Sequence, residues 1–149
     1  MNNRNSVKCL SIILLISLSF AGCKKEEGVG GTSSIRGKVI VHDFDGGFQN
    51  PVPDLIYPAA DEKVYIIYGS DDETYDDDFD TSFDGTFEFK HLQKGKYKIF
   101  AYKKDTTGAY NGSIGTIFRP DIPVIYEVEI TSNGSTVEVP QIIILDNNN

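Results

Sequence analysis

The chain predicts an all-β fold, a single antiparallel β-sandwich of about seven strands. Three observations lead there. Apolar residues recur with a period of two through most of the chain after residue 35, and no stretch holds helical spacing. Turn dipeptides, Asp84-Gly85, Lys94-Gly95 and Asn133-Gly134, punctuate those runs at short intervals. The roughly 115 residues from Ile35 onward are the size of one domain and long enough to bury one modest core.

The strands follow in order. Ile35, Gly37, Val39 and Val41 alternate with Arg36, Lys38, Ile40 and His42, giving a first strand with one apolar face. Lys63–Tyr68 is apolar on both faces and reads as a central strand. In Thr86–Leu92 the alternation sets Phe87, Phe89 and His91 on one side, and Thr86, Glu88, Lys90 and Leu92 on the other. Residues 96–103 oppose Tyr97, Ile99 and Ala101 to Lys98, Phe100 and Tyr102. Tyr126, Val128 and Ile130 continue the pattern, and Val137, Val139 and residues 142–145 close it. Asp84-Gly85 and Asn133-Gly134 are hairpin signals, because both dipeptides accept positive φ. The connections 43–58 and 105–123 are long and carry Phe44, Phe48, Tyr57, Tyr110 and Phe118.

The most specific run is T-x-x-D-G-x-F-x-F-x-x-L-x-x-G-x-Y, from Thr81 to Tyr97. With Gly37-Lys38-Val39 and Val64-Tyr65-Ile66 before it, this run resembles the carboxypeptidase regulatory-like domains. These are transthyretin-like β-sandwiches close to the collagen-adhesin B-type repeats. The resemblance spans residues 35–102 and implies an accessory, stabilising or binding module rather than an enzyme. A transthyretin-like hydrolase of hydroxyisourate ends in Tyr-Arg-Gly-Ser. This chain ends in Leu145-Asp146-Asn147-Asn148-Asn149, which leaves a small hydrolase only as a remote alternative.

Ahead of the domain, Arg4 and Lys8 precede eleven residues, 10–20, that are apolar or serine, the layout of a secretory signal. The run is too short to span a bilayer as a helix, which needs ~20 residues. Phe20-Ala21-Gly22-Cys23 then resembles the lipobox of bacterial lipoproteins, with Phe20 where an aliphatic residue is usual. That resemblance implies cleavage after residue 22 and a diacylglycerol on Cys23, with palmitate among the acyl chains. The expected organisation is a signal peptide over 1–22, a lipidated cysteine and flexible linker over 23–34, and a β-sandwich domain over 35–149. Lys24-Lys25-Glu26-Glu27 resembles the surface-export signal of some Gram-negative lipoproteins, which implies the outer face of the outer membrane. Cys9 leaves with the signal and Cys23 is acylated, so no disulfide is expected.

Cleavage leaves 12 Lys and Arg against 22 Asp and Glu, a net charge of −10. Nucleic acid is therefore excluded as an expected partner, since binding it requires positive charge to displace counterions. Eight carboxylates fall within residues 71–84 without one Lys or Arg. Asp71, Asp72, Glu73, Asp76, Asp78 and Asp80 are the candidate ligands for Ca²⁺, a hard cation that takes 6–8 oxygens. An EF-hand started at Asp76 fails at its sixth place, Thr81, and its twelfth, Phe87. A solvated acidic loop is the competing reading. Apart from Ca²⁺ no cofactor is expected.

No catalytic residues are assigned. The two histidines, His42 and His91, both lie in predicted strands, without the closely spaced second ligand that zinc needs. For ligand binding, Phe44, Phe48, Tyr57 and Tyr110 are the candidate stacking rings, although such aromatics more often fold back over the core. The sequence thus predicts a lipid-anchored, non-catalytic module with a carbohydrate, peptide or protein ligand. A spacer or subunit of a larger surface assembly is the alternative.

Overall fold

The computed structural model describes residues 27–44, 53, 55–69, 73–106 and 120–146. These form nine strands and, among the described residues, no helix. They are β1 (Val29–Asp43), β2 (Leu55–Pro58), β3 (Lys63–Tyr68), β4 (Asp77–Asp80), β5 (Thr86–Leu92), β6 (Gly95–Lys104), β7 (Asp121–Ile130), β8 (Thr136–Glu138) and β9 (Ile142–Asp146). The all-β class and the two-sheet architecture follow the sequence reading.

β1 is the axis of the first sheet. Along one edge it pairs antiparallel with β5 as far as Lys38 and with β2 through its last four residues. Along the other edge it pairs with β8 and β9, both parallel. The sheets are mainly antiparallel, as expected; β8 and β9 are the exceptions, returning along β1 in its own direction. The second sheet is antiparallel throughout, in the order β4-β3-β6-β7. β3 is interior, as its two apolar faces predict.

The core lies between the sheets. Ile35, Val39, Val41, Phe87, Phe89, Leu92, Ile142 and Ile144 from the first sheet meet Val64, Ile66, Tyr97, Ile99, Ala101 and Ile130 from the second. Burial of these side chains supplies the main favourable term, ~1.5–3 kcal/mol for each large one. Gly37 sits opposite Phe87 in the β1–β5 ladder, and a Cβ there would fall 2.7 Å from the Phe87 ring. The ring fills the space that a side chain would take.

Three sequence expectations change. Residues 29–34, expected as flexible linker, begin β1 instead, with Ser33 and Ser34 buried. Ser34 N–H donates to Ser135 O at 3.0 Å, and the Ser33 hydroxyl donates to Ser132 O at 3.1 Å. Gly-Ser composition describes a stretch free in water, but here neighbouring strands claim its backbone groups.

His91 turns outward and Leu92 inward, the reverse of strict alternation. His91 has φ 60°, and the β1–β5 register shifts beside it, so a bulge moves every later side chain to the opposite face.

Asp84-Gly85 and Asn133-Gly134 make tight turns, with Gly85 at φ 79° and Gly134 at φ 72°. Neither joins paired strands: each carries the chain from the second sheet to the first. Lys94-Gly95 carries it back. Thr81 braces the first of these corners. Its buried hydroxyl donates to Ala59 O at 2.5 Å and accepts Glu62 N–H at 2.9 Å.

Candidate functional site

In a strand every second side chain points away from the core, and on the second sheet several of those outward residues are aromatic. Val64 and Ile66 face inward, which sends Tyr65 and Ile67 out. Ile99 and Ala101 face inward, which sends Phe100 and Tyr102 out. Register completes the face: Tyr65 lies opposite Phe100, Phe100 opposite Ile125, and Tyr102 opposite Pro123. Tyr75, just before β4, joins from the edge.

The rings touch. Tyr65 stacks on Phe100 with centroids 5.0 Å apart and planes 16° from parallel. Tyr75 and Tyr102 meet Tyr65 edge-on at 4.8 and 5.6 Å. Phe100 is covered, whereas Tyr75, Tyr102 and Ile125 remain 50%, 41% and 51% exposed. Each such aromatic contact contributes ~0.5–1.5 kcal/mol beyond area burial, so the inner pair holds the outer rings in place.

Charged groups border this platform. Lys63 Nζ donates to Asp78 at 2.5 Å and to Asp80 at 3.0 Å, and these two hydrogen bonds hold its ammonium well above the usual range. Loss of solvent pushes the Tyr65 phenol up. The face therefore combines exposed ring surface with carboxylate acceptors, an ammonium donor and a protonated phenol. That combination suits a ligand with an apolar flank and a rim of hydroxyls.

The acidic run is divided by the strand it enters. β4 points Asp78 and Asp80 outward to Lys63, while Phe79 turns inward against Phe89. Asp76 accepts Tyr68 N–H at 2.7 Å, and Asp84 accepts the Thr86 hydroxyl at 2.7 Å, which lowers the Asp84 pKa. Glu73 is exposed, and Asp71 and Asp72 lie outside the described residues. Among the described residues no three His, Cys, Asp or Glu side chains are grouped to hold a metal ion.

Of the candidate stacking rings, Phe44 is 8% exposed, and its N–H donates to Asp146 O at 3.0 Å, so it caps the core rather than facing a ligand. Tyr57 packs against the core from β2. Phe48, Tyr110 and Cys23 lie outside the described residues. The sequence reading named none of Tyr65, Tyr75, Phe100 or Tyr102 as a site residue. A signal was present, since the strands around Tyr65 and Phe100 are apolar on both faces. Only pairing in register shows that the surplus aromatics share one surface.

A concavity of about 790 Å³ opens beside Arg36, Lys38, Thr86, Glu88 and Gln141 on the first-sheet side and Phe79 of β4. Arg36 pairs there with Glu138, and Lys90 with Glu88. Its charges are thus largely matched to one another, and the two rings that line it, Phe79 and Phe87, pack into the core through Phe89.

No family model matches the chain, and no curated protein matches it. Among solved structures it is similar to a Pseudomonas aeruginosa protein provisionally described as carbohydrate-binding. That likeness has 14% identity and a TM-score of 0.45, and covers 79% of this chain and 90% of that one. It is also similar to an (S)-allantoin synthase, at 17% identity and a TM-score of 0.39, covering 78% of this chain and 42% of the synthase. These likenesses concern the fold, and the site is read from its own geometry.

Proposed function

We propose that this chain is a lipid-anchored binding module of the bacterial outer membrane, facing outward, that holds a carbohydrate against the outer face of β4-β3-β6-β7. The lipid anchor and the address rest on residues 10–27. The ligand class rests on one observation, the exposed platform of Tyr75 and Tyr102 braced by Tyr65 and Phe100. The C–H flank of a pyranose ring is apolar and stacks on such a surface, while its hydroxyls reach the Asp78, Asp80 and Lys63 groups at the border. The chain supplies recognition and no chemistry of its own.

Affinity electrophoresis and calorimetry against a panel of bacterial and plant polysaccharides test this reading. Removing either outer ring, Tyr75→Ala or Tyr102→Ala, is expected to weaken binding about tenfold, the equivalent of one stacking contact of ~1.4 kcal/mol. Both variants should stay folded, because the deleted rings are half exposed. Affinity unchanged in both variants, or no binding to any glycan by the parent protein, would reject the platform. A stoichiometric protein partner retained through detergent extraction would favour an assembly subunit instead.

A further inference from the structure

The end of the domain that starts β1 is fastened by a closed ring of hydrogen bonds. Gln93 N–H donates to Gly28 O at 2.8 Å, and Gly28 N–H donates to the Tyr97 hydroxyl at 3.1 Å. That hydroxyl donates to Gln93 O at 2.7 Å, and the Gln93 side-chain amide donates to Val29 O at 2.9 Å. These bonds pin the Gly28 end of β1 to the body. The same end of the body carries the turn around Lys94, the turn at 131–135 held by Ser33 and Ser34, and the β3–β4 connection, where Gly69 N–H donates to Lys96 O at 2.8 Å. The opposite end is marked by the pairs Asp43 with Asp146 and Lys104 with Asp121. Both long connections, which follow Phe44 and Lys104, depart from there.

We infer that the end of the sandwich bearing Gly28, Lys94 and the 131–135 turn faces the lipid surface. The end bearing Ala60, Asp121 and Asp146 points away, so the aromatic platform stands side-on to the membrane. The inference rests on lipidation of Cys23. From Cys23 to Gly28 the chain has five residue steps, at most ~17 Å fully extended. β1 from Ser33, which pairs with Leu92, to Asp43 makes ten steps at ~3.3 Å each and runs about 33 Å. A tether this much shorter than the body keeps the near end at the bilayer and cannot let the body turn over. The net charge of −10 on the mature chain opposes lying flat on anionic headgroups. The Gly28 ring of hydrogen bonds matters because unzipping the start of β1 would lengthen the tether.

The mature acylated chain has no free thiol, so one introduced cysteine reports one position. Lys94→Cys at the near end and Ala60→Cys at the far end are both exposed sites. Each variant is purified from membranes as the full acylated protein, labelled with a donor dye and reconstituted into vesicles carrying an acceptor on the headgroup. Energy transfer about twofold higher from position 94 than from position 60 is expected from the two lengths. Equal transfer, or higher transfer from position 60, overturns the orientation while leaving the anchor standing. An intact mass without the acyl groups removes the anchor and the orientation together, and leaves glycan binding to be judged by its own assay.

Discussion

Replacing Tyr97 by Phe deletes a single oxygen from the best-connected side chain of the second sheet. Tyr97 is 1% exposed, and its hydroxyl bonds both Gln93 and Gly28, the latter 69 residues away in sequence. Without that oxygen the Gly28 N–H loses its acceptor and Gln93 O loses a donor. A buried polar group left unpaired costs ~1–3 kcal/mol, and because Gly28 lies near one end, water can rescue part of the loss. The expected destabilisation is ~2 kcal/mol, or about 8 °C in Tm for a domain of this size.

The pH dependence identifies the hydroxyl as the cause. Burial is the largest influence on Tyr97, with Glu27 adding to it, and the phenol is pushed above its usual value of 10.0. The folded state therefore keeps its proton at a pH where the unfolded chain has released it. Stability contributed by Tyr97 is fully present below pH 10 and is lost as pH rises through the folded value, by up to ~1.4 kcal/mol per pH unit. Tyr65 and Tyr68 are shifted in the same direction, again by burial, and share this alkaline loss. Urea unfolding of the parent and Tyr97→Phe from pH 7 to 11 should show a gap that is constant up to about pH 10 and narrows beyond it. Equal midpoints at pH 7, or a gap of constant size to pH 11, would refute the role assigned to the hydroxyl.

Gly31→Ala should be more damaging than Gly37→Ala. The new Cβ at 31 would meet the Leu92 carbonyl oxygen at 1.8 Å, which is backbone and cannot yield, whereas at 37 it meets the Phe87 ring, which can turn. Losses of ~3 kcal/mol or more at 31 and ~1–2 kcal/mol at 37 are expected in chemical denaturation. Glu62→Gln should stabilise the protein at neutral pH. Burial first, then Asp146 and Asp121, raises the Glu62 pKa above 4.5, so its ionised form weakens the fold. The gain in Tm should disappear as pH falls below about 4, where both states of the parent are protonated.

The core could be read from the sequence because period two is a local signal: Ile35, Val39, Val41, Phe87, Phe89, Tyr97 and Ile99 are all inside as their spacing predicts. Local signals fail where a neighbouring strand decides. The bulge at His91 depends on how β5 meets β1, and nothing in Lys90-His91-Leu92 announces it. Asp84-Gly85 and Asn133-Gly134 specify a reversal of direction, but whether the next strand joins the same sheet or the facing one depends on which edges are free. The fate of the acidic run was hidden for the same reason. Lys63 lies 15 residues before Asp78 in sequence and becomes its partner only when β3 and β4 pair.

The aromatic platform is the clearest case of information that resides in register. Tyr65 and Phe100 each look like ordinary strand residues, and the need to cover an edge or brace the sheet would account for one of them alone. Pairing β3 with β6 sets them face to face, and the next outward position on β6 adds Tyr102 to the same row. If bracing were the whole purpose, the outermost rings would be covered like Phe100. Instead Tyr75 and Tyr102 keep about half of their surface in solvent. Two exposed rings held by the Tyr65–Phe100 stack form a surface that is in place before any ligand arrives. On the proposed reading, a ligand docking there loses only its own freedom, and a repetitive glycan, with many equivalent rings to present, loses least.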